Sequence, residues 1–402
     1  MTGPLERWRR ADPAFKAFLL GVFFLGINAG VLSSAFNNYL NDSFSLTEKQ
    51  RGFLEFPREL PGFLVIFMAG LLAAVPVRRW AVISSLFTAA GVAGLGFLSP
   101  GYNSMLLWML LWSAGSHLFM TVESVMGLRF AKEGGQGRML GQISGMANLA
   151  AIAGAGFVWV FAKAAGPALY RWAFLFAAAA SVASAFLFAR IPSGGGAAAP
   201  GGRSFVFRRR YKWYYLLNVL FGARKQIFLT FAPWVLVTRY GASPAVMAAL
   251  AVAAACLGVV FRQAFGALTD RIGERRMFIG DSVILLGICA GFAYSSALPL
   301  LYGLFILDNL MFATRIARTT YLNRIAEEKS HIAPTVSFGI TIDHAVSMTI
   351  PAAGGLLWAA YGYRSVFLAA SLLAVAGFLA ALAVDDGRGK KSRPAPEPVT
   401  PD

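Results

Sequence analysis

The chain has 402 residues, of which 57% are hydrophobic and 14% charged, with a formal net charge of +17 and a mean hydropathy of +0.61. A soluble domain carries about 25% charged residues, so this composition excludes a soluble globular fold and points to a polytopic membrane protein. The basic excess alone would suit a nucleic-acid binder, but the Lys and Arg residues fall at the ends of apolar runs, and no nucleic-acid partner is expected.

The first ten residues, M-T-G-P-L-E-R-W-R-R, are basic. The apolar run behind them is too long for a signal-peptide core and has no small-residue cleavage site, so it is expected to remain as the first helix. Twelve apolar runs follow one another at about 14–40, 50–76, 79–98, 103–130, 137–163, 168–190, 213–239, 244–268, 276–295, 297–321, 335–361 and 364–384. Each is long enough to cross a bilayer. Runs of this length must be helical, because hydrocarbon satisfies no backbone hydrogen bond and barrel strands are far shorter. The expected fold is an all-α membrane protein with twelve transmembrane helices in two six-helix, pseudo-symmetric bundles. Residues 1–191 form the first bundle, 192–212 a cytoplasmic linker, 213–384 the second bundle and 385–402 a disordered cytoplasmic tail. The linker opens with S-G-G-G-A-A-A-P-G-G, a flexible composition, and closes with F-V-F-R-R-R, which suits an anionic membrane-lipid surface.

With the N-terminus inside, the cytoplasmic segments hold 25 Lys and Arg; the opposite face holds six, namely Lys49, Arg51, Lys163, Arg171, Arg239 and Arg364. The positive-inside rule therefore predicts a multi-pass protein of the cell's inner membrane with both termini in the cytoplasm. Cys256 and Cys289 lie inside apolar runs and read as small buried hydrophobes, not as a disulfide.

The halves echo each other. Gly266 to Arg276 reads G-A-L-T-D-R-I-G-E-R-R behind the eighth run, and 196 residues earlier Gly70 to Arg79 reads G-L-L-A-A-V-P-V-R-R behind the second. Six plus six helices with matching loops is a parallel repeat of the kind secondary transporters use. The spacing G-x-L-x-D-R-x-G-x-R-R, carried by Gly266, Leu268, Asp270, Arg271, Gly273, Arg275 and Arg276, is similar to the cytoplasmic loop signature of the major facilitator superfamily. The twelve-helix frame extends that resemblance over about 14–384. It implies alternating access between the halves, with Gly266, Asp270, Arg271 and Gly273 at a cytoplasmic gate. The sequence departs from the family pattern twice. Ala74 stands at the Asp position of the first-half loop, and the fifth run, G-M-A-N-L-A-A-I-A-G-A-G-F, lacks the G-P-x-x-G-G pattern of many drug/proton antiporters, which turns the reading away from export.

Within the spans lie Arg58, Arg224, Lys225, Arg262 and Arg315 against Glu55, Glu59, Glu123, Asp308 and Asp343, with Asp281 near a cytoplasmic end and His117 and His344 among them. Entered near Gln50, the second helix carries Glu55 roughly 8 Å and Glu59 roughly 14 Å into a hydrocarbon layer about 30 Å thick. Charge at that depth faces protein or water and marks a functional site unless it is structurally paired. The third, sixth and twelfth runs have no interior charge and the ninth only Asp281, so these four are expected at the periphery, as the resemblance also implies, and the others around a wet path.

Arg58 lies between Glu55 and Glu59 on one helical face. One base between two acids leaves one carboxylate poorly compensated, which predicts a coupled titration. Glu123, Asp308 and Asp343 complete the candidate proton carriers. Contacts to a solute are expected from Asn28, Arg58, His117, Arg224, Lys225 and Asp308. Arg224 and Lys225 point about 100° apart, so that one faces the cavity while the other reaches a neighbouring helix. Shifting Arg224 back by 196 residues gives Asn28, and the two are expected as paired contributions to one central site. Nothing in the second half repeats 54–63, since Ala254 stands where Arg58 would. The function expected is secondary active transport of a small organic anion or zwitterion, coupled to protons, by a monomer without a cofactor. A proton-driven exporter of drugs or amphipathic cations is the alternative. With three His in all, and no H-E-x-x-H, Cys/His cluster, phosphate loop or nucleophile motif, neither an enzyme nor a metal site is expected.

Overall fold

Helix α1 (Pro13–Phe44) starts where its sequence dictates: Asp12 accepts from the Ala14 N–H at 2.9 Å, and Pro13 has no N–H to leave unsatisfied. It opens a computed structural model that describes residues 6, 11–65, 75–131, 135–193 and 208–385. Next come α2 (Glu48–Phe53), α3 (Glu55–Val65), α4 (Val77–Phe97), α5 (Tyr102–Leu128), α6 (Gln136–Phe161) and α7 (Leu169–Ala189). After the linker follow α8 (Lys212–Thr238), α9 (Pro244–Ile272), α10 (Glu274–Tyr294), α11 (Leu298–Met311), α12 (Arg315–Ile325), α13 (Ile332–Tyr361) and α14 (Tyr363–Ala383). No strand occurs among the described residues.

Two crossings are interrupted. Pro57 offers no N–H to the Phe53 carbonyl, and the second crossing breaks there, into α2 and α3. In the tenth, the 3₁₀ turn Phe312–Thr314 joins α11 to α12. Among the described residues nine segments are long and apolar enough to cross a membrane. Of the other three crossings, the second is described only to Val65 and is split into the short helices α2 and α3, whereas α8 and α13 hold Arg224 and Lys225, and Asp343 with His344, which dilute their hydropathy. Together they make twelve transmembrane segments in two bundles of six. Residues 194–207 of the linker, 386–402 of the tail, and Ala74, on which the flexible, disordered and loop expectations fall, lie outside the described residues.

In the first bundle α1 packs on α6 and α7, and α4 on α5 and α7; in the second α10 packs on α14, and α8 on α13 and α14. The halves meet where α9 touches α6 and α1, and where α13 touches α2 and α3. The outer faces are apolar, with Leu107, Val260 and Leu372 exposed by 60%, 69% and 69%, which is the surface that lipid requires. Two glycines close the interface at the end away from the termini. A Cβ on Gly52 of α2 would collide with the Pro351 carbonyl of α13, and one on Gly355 would come 2.6 Å from the Glu48 carbonyl. Backbone thus meets backbone there, an approach that only glycine permits. At the same end Asn38 Nδ2 donates to the Ala242 carbonyl at 2.7 Å.

Candidate functional site

Positions 55, 58, 59 and 62 of α3 share one helical face, and that face is turned toward α5, α8 and α13. Glu55, 1% exposed, accepts from three donors: Arg51 Nη1 at 2.6 Å, Arg58 Nε at 2.5 Å and Gln226 Nε2 of α8 at 2.9 Å. Arg58 also reaches across to Glu59, Nη2 to Oε1, at 2.7 Å. Arg51 Nε donates to Asn37 Oδ1 of α1 at 3.1 Å. This corrects the sequence reading on one point, the carboxylate of the pair left without a cation: Arg51, counted there only among the outer-face charges, supplies it. Arg51 is 2% exposed, one helical turn before Glu55, so two guanidiniums face two carboxylates.

The second oxygen of Glu59 faces two imidazoles, His344 Nδ1 of α13 at 3.1 Å and His117 Nε2 of α5 at 3.6 Å. The rings stand edge to face, with centroids 5.1 Å apart. His117 Nδ1 lies 3.0 Å from the Ser113 carbonyl, which assigns the proton to Nδ1 and leaves Nε2 an acceptor. Ser113 Oγ in turn donates to the Arg58 carbonyl. Imidazole Nε2 and carboxylate Oε2 are then two acceptors facing each other, an arrangement that one added proton resolves. Gly62 makes the room: a Cβ there would collide with the His117 ring and come 2.5 Å from His344 Cε1.

The ligand-type atoms of Glu59, His117 and His344 all lie within 4.8 Å of one another. No sequence spacing announces such a trio, because three separate helices assemble it. Arg58 on the other Glu59 oxygen places a permanent positive charge beside it, and that charge favours a single proton over a divalent ion.

In the second half, Arg224 is 2% exposed and tied to two carboxylates, Nη1 to Asp281 Oδ1 of α10 at 2.7 Å and Nη2 to Asp308 Oδ1 of α11 at 3.0 Å. Its neighbour Lys225 pairs with Asp343 of α13, and both side chains stay partly exposed, at 22% and 25%. Lys225 is therefore the more accessible of the two neighbours. Asn28 does not join Arg224 in a central site. It is buried against α7, where its Nδ2 donates to Ser181 Oγ at 2.5 Å and to the Ala177 carbonyl at 3.1 Å. Each of the two residues turns into its own bundle. Glu123 is half-buried on α5 and makes no hydrogen bond or ion pair with any described residue. Arg262 is exposed and donates across the halves to Asn148 Oδ1 at 2.9 Å.

At the expected gate, Gly273 ends α9 with φ at 84°, and its N–H donates to the Thr269 carbonyl at 2.9 Å. Asp270 and Arg271 are exposed, and a Cβ on Gly266 would meet nothing within 4 Å. Glu274, next in the motif, receives Arg324 Nε of α12 at 3.2 Å, and Arg324 Nη2 donates to the Asp385 carbonyl at 2.7 Å. The loop is thereby tied to α12 and to the end of α14. Sequence reasoning missed Arg51, Gln226 and Arg324 as partners, and Arg318 as a buried cation over the Phe221 ring. The i, i+4 spacing of Arg51 and Glu55 was the one legible signal among them.

The sequence profile of the Major Facilitator Superfamily matches residues 18–333 and 214–401. No curated protein matches the sequence. Among solved structures the chain is similar to the nucleoside transporter NupG, at 13% identity and a TM-score of 0.72, covering 93% of this chain and 99% of that one. It is similar to a bacterial homologue of the human lysosomal transporter Spinster in an inward-facing, occupied conformation, at 14% identity and 0.75, covering 98% and 100%. A D-xylose-proton symporter gives 17% identity and 0.67, covering 94% and 99%. At such identities the likeness to these structures is one of fold.

Proposed function

The chain belongs to the major facilitator superfamily, and from that premise we propose a secondary active transporter that carries a small organic anion or zwitterion by alternating access with protons as coupling ion. The observation that carries this reading is the sharing of one carboxylate between the halves. Glu59 is held by Arg58 and His117 of its own bundle and by His344 of the other. Opening the shut end moves α13 away from α3, and so removes His344 from Glu59 and Gln226 from Glu55. A buried carboxylate that loses a donor is destabilised, whereas a protonated one no longer carries the charge that needs it. Protonation of the Glu59 carboxylate itself thus favours the opened form, and the two events are linked.

Arg58 and Lys225 each keep 22% side-chain exposure, so they are the cations within reach of a solute anion. Arg224, with Nη1 and Nη2 both on carboxylates, holds α8, α10 and α11 together instead. An exporter of amphipathic cations is less well served, because Glu55, Glu59, Asp308 and Asp343 are each already paired with a cationic side chain. With both termini in the cytoplasm, the glycine-sealed end is the outer one.

Proteoliposomes containing a pH-sensitive dye test the reading against a panel of carboxylates, amino acids and other zwitterions. Solute-dependent proton movement is expected, and its absence in both directions across the panel would refute it.

A further inference from the structure

Among the described residues, the charges held between the helices of each bundle balance. Arg51 and Arg58 face Glu55 and Glu59, Lys225 faces Asp343, and Arg224 with its two acids, Asp281 and Asp308, lies beside the second buried cation, Arg318. Two cations of the second bundle are left over, Arg262 of α9 and Arg315 of α12. Both are exposed, and neither forms an ion pair with any described residue. Arg262 has only uncharged acceptors, the Gly258 carbonyl at 3.1 Å and Asn148 Oδ1 of the other half at 2.9 Å. The Arg315 guanidinium makes no hydrogen bond with any described residue. Glu123, the unpaired interior acid, belongs to the first bundle and forms no ion pair with either arginine.

The two arginines stand at one depth. A Cβ on Gly258 would come 3.9 Å from Leu310 of α11, and the eighth and tenth crossings run in the same direction. Arg262 follows Gly258, and Arg315 follows Leu310, by a rise of about 6 Å and about 8 Å. Each also lies about 15 Å before the end of its helix, at Ile272 or Ile325, half-way through a hydrocarbon layer about 30 Å thick. Helix α9 packs against α12 and against the turn Phe312–Thr314 that precedes Arg315, so the two helices are neighbours at this level. The surface they share is polar. The exposed face of α12 runs Arg315, Thr319 and Asn323, one polar residue per turn. Across from Arg262, α6 presents Asn148 with exposed Ser144 and Gly145, and a Cβ on Gly145 would meet nothing within 4 Å. Polar residues exposed at mid-membrane face a water-filled path and not lipid.

From this arrangement we infer that Arg262 and Arg315 form the subsite for the acidic group of the solute, and that the solute is a small organic dianion, a dicarboxylate or a phosphate monoester. Arg58 and Lys225 each bring a carboxylate of their own, so an anion beside them adds to a pair that is already neutral. Arg262 and Arg315 bring none. A permanent charge at this depth needs a counter-charge, and two such cations on neighbouring helices call for two negative charges. A monoanion leaves one of them unmatched, and a zwitterion brings a third positive charge. The guanidinium fork also fits the paired oxygens that carboxylate and phosphate have in common. The inference rests on the transport reading and narrows its class of anions and zwitterions to dianions.

The test follows thermal unfolding of the purified full chain in nanodiscs, at constant ionic strength, with malonate, succinate, glutarate or ethyl phosphate as dianions. Butyrate and 4-aminobutyrate serve as the monoanion and the zwitterion. A dianion is expected to raise Tm, and the other two to leave it unchanged. Arg262→Met and Arg315→Met are each expected to raise the concentration needed for half the effect by about tenfold or more, through loss of a charge-assisted contact. Arg262→Lys keeps the charge and is expected to recover part of that loss. Asn148→Ala removes the bridge between the halves but no charge, and is expected to retain the dianion response; an equal loss there would make Arg262 a latch and overturn its role. A preference for the dicarboxylates or for ethyl phosphate supports the subsite either way and identifies the acid group. No response to any dianion, an equal response to butyrate or 4-aminobutyrate, or a dianion response unchanged in both Met variants would overturn the inference. Dye-loaded proteoliposomes report on the transport reading separately. Dianion binding without proton-coupled flux refutes that reading and keeps the subsite, whereas flux of a monoanion or zwitterion without dianion binding does the reverse.

Discussion

Replacing Arg224 with Met separates a structural role for this residue from a substrate-binding one. Arg224 is 2% exposed and supplies the hydrogen-bonded cation of two carboxylates, at 2.7 and 3.0 Å. The substitution leaves Asp308, 3% exposed, and Asp281 without it. Breaking a buried pair from one side costs about 3–5 kcal/mol. With an unfolding entropy of about 2.1 cal/mol/K per residue, this chain of 402 residues should lose roughly 4–6 °C in Tm. Asp308→Asn added to Arg224→Met removes the stranded charge and leaves Asp281 beside Arg318 on the same cavity wall. The double variant is expected to regain at least half of the loss, a coupling that is read as a double-mutant cycle. Intrinsic Trp fluorescence gives Tm, and solute binding is measured on the same samples below the transition. A single variant that melts within about 1 °C of the unaltered protein, or a double variant less stable than the single one, would refute this argument. Lost binding with unchanged Tm would make Arg224 a substrate anchor after all.

Lys225→Met should instead raise the KM for an anionic solute by about tenfold with a smaller effect on Tm, because both it and Asp343 are partly solvated; equal KM in counterflow assays would count against it. Glu59→Gln keeps a side chain that can accept from Arg58 and His344 but removes the charge, so uptake driven by a pH gradient should disappear while solute exchange at equal pH persists. Full pH-driven uptake in that variant would exclude Glu59 as the proton carrier. His344→Asn tests the same link from the other half and should weaken the coupling of uptake to a pH gradient; unchanged coupling would show that His344 takes no part in it. Gly355→Val places side-chain atoms where a Cβ already comes 2.6 Å from the Glu48 carbonyl. It should hold the sealed end open, seen as increased labelling of a cysteine introduced at Gln50, and unchanged labelling would show that the seal forms otherwise.

The Glu59 cluster shows what could be read from the chain and what could not. Arg58 with Glu55 and Glu59 is local, fixed by the three- and four-residue spacings of one helix, and the ion pairs form between those residues. The imidazole of His344 sits 285 positions from Glu59 in the chain and still meets it at 3.1 Å. Counting Arg51 only among the outer-face charges overlooks its four-residue spacing to Glu55, which burial turns into an ion pair. The 196-residue repeat pairs Asn28 with Arg224 as positions, yet both residues turn into their own bundles, Asn28 onto α7 and Arg224 onto α10 and α11.

By itself the sequence determined the membrane class, the twelve crossings and the six-plus-six division, because in hydrocarbon every crossing must satisfy its own backbone and so writes its length and polarity locally. It also determined which crossings carry charge. Only the tertiary structure decided the partners: which carboxylate meets which cation, that two histidines close on Glu59, and that Arg318 lies on the Phe221 ring without an acidic partner among the described residues. Such pairings depend on helix rotation and on contacts between distant segments, and a buried charge takes whatever partner packing delivers.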